Sequence, residues 1–119
     1  MNNLRYLTLI ILIFVKCKTS EKAFYQDIQN FKKEDSSHPP VKDIILFVGS
    51  SSFTYWKDVQ KDLNNPMILN RGFGGSTLVD LWRYKDDVIF AYKPKQIVIY
   101  CGENDVASSE NVSSSEVAG

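Results

Sequence analysis

The chain has 119 residues with 14 basic and 14 acidic side chains, so its formal net charge is zero, which excludes the basic field of a nucleic-acid or anionic-membrane binder. An apolar share of 44% and an aromatic share of 13% separate it from disordered chains, and the length admits one domain at most, near the small end for a parallel α/β fold. Two cysteines, Cys17 and Cys101, make neither a disulfide framework nor a metal cluster.

Residues 1–17 differ from the rest. A polar start containing Arg5 leads into Leu7 to Val15, apolar throughout except for Thr8, and then into Lys16, Cys17 and Lys18. That run is too short for a membrane span, which needs about 20 residues, but it suits the apolar region of a secretory signal. A cysteine directly after it resembles a bacterial lipoprotein signal, with Lys16 standing where a small residue is usual. The expectation is an exported protein, periplasmic or held to the membrane through lipid on Cys17, with residues 1–19 as leader and short linker and 20–119 as the folded part.

Residues 20–33 read as an amphipathic helix capped by Ser20, with Phe24, Ile28 and Phe31 on its inner face. Residues 32–42, with Pro39 and Pro40, read as a loop. Ile44 to Val48 is an unbroken apolar run that ends in Gly49 and the hydroxyls Ser50, Ser51 and Ser52. That is the pattern of a strand buried on both faces, delivering a sharp turn to the carboxyl edge of a parallel sheet, where open α/β folds place their chemistry. A serine held there is a candidate nucleophile.

A helix over 53–63 follows, closed by Asn64, Asn65 and Pro66, and 67–69 is a short second strand. It leads into a glycine-rich turn, Asn70-Arg71-Gly72-Phe73-Gly74-Gly75. Residues 78–91 are predicted helical, capped by Thr77 or Ser76, with Leu78, Leu81, Trp82, Val88 and Ile89 inward. Residues 96–101 form a third apolar strand that ends in Gly102-Glu103-Asn104-Asp105. Three strands thus each bring a glycine turn to one edge.

In that order, Gly49-Ser50-Ser51, the Asn70 to Gly75 turn and Gly102 to Asp105 resemble the first three sequence blocks of the SGNH (GDSL-type) hydrolases. The resemblance spans about residues 43–105, and Ser50 departs from the aspartate common at its position. It implies a flavodoxin-like α/β/α sandwich with a parallel sheet and a serine esterase that cleaves small-molecule acyl or acetyl esters through an acyl-serine intermediate. No cofactor, metal or nucleic acid is implied. It further assigns Ser51 as nucleophile and oxyanion donor through its own N–H, Gly75 as a second backbone donor, and the Asn104 amide as a third. Such donors, neutral and aimed at a developing oxyanion, are what acyl transfer requires.

Each assignment has a plainer counterpart: Ser51 as a helix cap, the glycines as a turn, Asn104 as an Asx turn. Asp105 orients its loop, Arg71 reads as a rim charge and Glu103 as a solvated turn residue. Tyr55 and Trp56 are positioned to line a pocket, although Trp56 fits the core better. Cys101 reads as a small buried hydrophobe.

A serine nucleophile needs a base. The family takes one from an Asp-x-x-His block that is missing here, and the single histidine, His38, precedes the first strand and falls at the opposite edge of the sheet. A capping-box pattern over 113–116 announces one more helix, and the third strand is a bare apolar edge. These features predict a domain cut off after its third strand, short of roughly two strands and the catalytic Asp and His, with poor solubility and little turnover. The alternative is a non-catalytic module that binds a carbohydrate or an anion at the same rim. A receiver domain would need an acidic pair after the first strand, and a flavin domain would show as yellow colour.

Overall fold

The computed structural model describes residues 22–108 together with Ser115. The leader over 1–19 with Cys17, the Ser20 cap and, apart from Ser115, the capping box over 113–116 lie outside the described residues.

Three strands, β1 (Ile45–Gly49), β2 (Ile68–Gly72) and β3 (Gln96–Tyr100), form an all-parallel sheet in the order β2-β1-β3. Ile45 pairs with Ile68 on one side and Gln96 on the other; Gly49 pairs with Gly72 and Tyr100. The fold is α/β, and this is the strand order at the start of a flavodoxin-like sheet, with its switch point between β1 and β3.

Alternation along β1 builds a core on each face. Leu46 and Val48, with Ile44, pack against Ile28 of α1 (Tyr25–Ser37), against Leu81 of α4 (Leu78–Arg83) and Val88 of α5 (Lys85–Val88), and against Phe73. Ile45 and Phe47 point the other way, toward Phe53 of α2 (Ser51–Tyr55), Val59 of α3 (Val59–Asp62) and Trp56. Helices therefore cover both faces of the sheet, and the central strand is sealed by them.

Helix boundaries shift from those expected. α1 begins after Phe24 and runs through Ser37, because nothing breaks it before Pro39 and its last turn carries Glu34 and Asp35 to the buried Arg71. The helix expected over 53–63 instead starts at Ser51 and breaks at Trp56. There the Asn70 amide takes the Phe53 and Trp56 carbonyls at 2.7 and 3.2 Å and ends α2, while the Trp56 ring turns toward Phe47 and its N–H donates to Asp62.

The helix over 78–91 is likewise divided, at Tyr84 and Ile89, and ends in a 3-10 turn over Phe90–Tyr92. Leu81, Val88 and Ile89 face the core as expected and Tyr84 joins them, Leu81, Tyr84 and Val88 forming an i, i+3, i+7 stripe. Trp82, one position off that stripe, is 70% exposed beneath the Lys85 ammonium. Of the two expected caps, Thr77 and Ser76, it is Thr77 that caps α4, in a reciprocal box with Asp80.

β2 is longer than its apolar residues. It continues through Asn70 and Arg71, whose polar groups are satisfied in place, so Arg71 is not a rim charge: it is 5% exposed. Its guanidinium meets Glu34, Asp35 and the Tyr92 hydroxyl and lies against the rings of Phe31 and Tyr92. A buried cation so surrounded is stable only as a set.

Candidate functional site

The carboxyl ends of the three strands converge. Gly49 leaves β1 with φ +149°, and a Cβ built there would sit 1.9 Å from the Tyr100 carbonyl oxygen. Only glycine lets the strand ends approach so closely. The next amide, Ser50 N–H, then donates to that same Tyr100 oxygen at 3.0 Å, and Phe73 N–H donates to the Gly49 carbonyl at 2.9 Å. The first turn is thereby tied to both others at the switch point of the sheet.

Ser76 binds the second turn to the rim. It is fully buried, its hydroxyl reaches the Gly49 carbonyl at 3.4 Å, and its carbonyl accepts from the Asn104 amide at 2.9 Å and from the Cys101 thiol at 3.6 Å. Asp105 accepts from the Leu78 amide at 3.1 and 3.0 Å and so anchors the third turn to the start of α4. That is the orienting role expected of it.

The three candidate residues occupy this common rim. Ser51 is the first residue of α2, half-exposed, and among the described residues none hydrogen-bonds its hydroxyl. Gly75 is exposed with φ +85°; a Cβ there would meet only Phe24, at 4.0 Å, so conformation and not crowding calls for glycine. Among the described residues nothing accepts from its N–H. Asn104 lies in the first turn of α6 (Glu103–Ser108), and one of its two amide hydrogens is engaged by Ser76.

Two features were not anticipated. Ser50, not Ser51, has a side-chain partner: its buried hydroxyl donates to the Glu103 carboxylate, so Glu103, although exposed, is more than a solvated turn residue. Ser76 is a hub of the rim and not a cap. A serine after paired glycines carries no local sign of such a role, since its partners lie 27 and 28 positions away.

His38 closes α1 and borders a cavity with Pro39, Pro40, Ile44, Met67 and Ile68, the amino ends of β1 and β2. With a rise of about 3.3 Å per residue, the length of β1 separates it from Ser51 by some 15 Å. Burial pushes the Cys101 thiol above its ordinary pKa, which keeps it protonated and unreactive. Tyr55 is 81% exposed, and Trp56 packs at the edge of the core. Among the described residues no helix is long and apolar enough to cross a membrane.

Neither a scan against protein-family models nor a search of curated proteins finds a match to this chain.

Proposed function

We propose that the rim is the acyl-binding part of a serine esterase site of the SGNH kind. The observation that carries this reading is the direct hydrogen bonding among the three turns, through Gly49, Ser76, Tyr100 and Asn104. It is supported by a hydroxyl on Ser51 and an N–H on Gly75 that are uncommitted among the described residues. In this reading the Ser51 oxygen attacks the ester carbonyl. The amide hydrogens of Ser51 and Gly75 and the second Asn104 N–H then receive the oxyanion. The substrate is a small acyl or acetyl ester. The proton from Ser51 goes to a base other than His38, which faces the opposite edge. With the leader ending near Cys17, the enzyme acts outside the cytoplasm, held at the membrane by lipid on that residue.

The engagement of Asn104 by Ser76 favours a second reading, in which the rim only binds a carbohydrate or an anion. A fluorophosphonate probe with imidazole as external base separates the two. The expected result is an adduct mapped to Ser51 and lost in Ser51→Ala. An adduct on Ser50 or Ser52 reassigns the nucleophile, and no adduct at all favours the binding module.

A further inference from the structure

The segment ahead of α1 makes a strained corner. Tyr25 N–H returns to the Lys22 carbonyl at 3.0 Å, and Phe24 takes the corner of that turn with φ 66° and ψ 5°. Tight turns give such a corner to glycine or asparagine, because a bulky L-side chain is strained there. Contacts from elsewhere hold it nonetheless. The Tyr84 hydroxyl donates to the Ala23 carbonyl at 2.8 Å, and the Phe24 ring meets the buried Phe73 edge-on, with centroids 5.3 Å apart.

The strained backbone delivers the ring to the rim. Phe24 Cε1 lies 4.0 Å from the place a Cβ on Gly75 would take, and among the described residues no other atom beyond the chain neighbours of Gly75 comes so near. Covalent geometry then puts the ring edge within about 6.5 Å of the Gly75 nitrogen. Phe24 is half-buried and Gly75 is exposed, so the ring is not sealed into the core.

Chemistry decides which half of an ester suits this neighbour. The leaving oxygen gathers negative charge and must take up a proton, and an apolar ring offers it neither a hydrogen bond nor a proton. The acyl chain stays uncharged throughout and gains by burial against the ring. Its length is limited. Once the carbonyl oxygen sits about 2.9 Å from the donor nitrogen, only about one or two further carbons fit before the ring edge.

We infer that Phe24 is the wall of the acyl pocket and restricts the site to short acyl groups such as acetyl. This role rests on the esterase reading of the rim and adds a specificity-determining residue to it, one that comes from the segment ahead of the three glycine turns and from none of them.

Two fluorophosphonates that differ only in the alkyl group on phosphorus, methyl and octyl, test this on the full chain with imidazole as external base. The Ser51 adduct is followed by mass spectrometry, and rates are taken relative to those of each probe with imidazole alone. The wild type is expected to react at least about tenfold faster with the methyl probe. Phe24→Gly removes the wall and relieves the corner, so the fold is kept and the octyl-to-methyl ratio should rise about tenfold. Phe24→Ala should raise it as well, while Tyr25→Ala, at the exposed next position, should leave it unchanged. A wild type that labels at Ser51 without preference overturns the inference and leaves the esterase reading standing. So does a ratio unmoved in both Phe24 variants, including one in which both rates fall together, the mark of a merely structural role. No adduct on Ser51 with either probe overturns the esterase reading and the inference with it.

Discussion

Gly49 is where the first turn presses against the Tyr100 carbonyl at the end of β3, and it tolerates no side chain. Gly49→Ala would drive a methyl into the Tyr100 oxygen and force an L-residue to hold φ +149°. A loss of stability on the order of 3 kcal/mol is expected, read as a fall in the urea midpoint. Tyr92 makes a different demand. Burial, and the hydrogen bond its hydroxyl donates to Asp35, push its pKa up from 10 to about 12. Because the folded-state value is raised, the folded form holds its proton across that interval while the unfolded chain releases it. The resulting stability is complete below pH 10 and disappears as pH rises toward 12. Urea midpoints measured across this interval should fall more steeply for the wild type than for Tyr92→Phe.

At the scale of elements, short helices owe their ends to side chains from elsewhere. Asn70 caps α2 through two carbonyls and accepts from Gly72 N–H at 2.9 Å, so one residue of β2 fixes where the helix that begins at Ser51 stops. Asn70→Ala should lower stability by about 2 kcal/mol and, if the esterase reading holds, diminish probe labelling at Ser51 as α2 loosens. Unfolding curves and adduct yield measure the two effects separately. The same physics explains which elements were legible beforehand. The three apolar runs announced their strands, and the hydroxyls of Ser76 and Thr77 announced the start of α4. The break at Trp56 did not show, because it answers to Asn70, and neither did the inward turn of Tyr84, whose hydroxyl donates to the Ala23 carbonyl. Both partners are remote in sequence.

For the whole molecule the sheet order sets a gradient of protection. β1 is paired on both sides and buried on both faces, so the amides of Leu46 and Val48 should exchange only by global unfolding. Hydrogen exchange should find Ile97 and Ile99 fastest among the strand amides. Comparable rates in β1 and β3 would contradict the described sheet.

The residue string by itself determined a parallel α/β fold, the order in which strands and glycine turns occur, and the delivery of those three turns to one edge. Those follow from hydrophobic runs and from the rule that parallel strands all end at the same edge. Only the tertiary structure decided that Arg71 is buried in a carboxylate and tyrosine cluster, that Ser76 holds the rim together and that Ser50 meets Glu103. The reason is physical: each of these polar groups is stable in place only through partners brought near by folding, and an isolated stretch of chain carries no sign of a partner it has yet to meet.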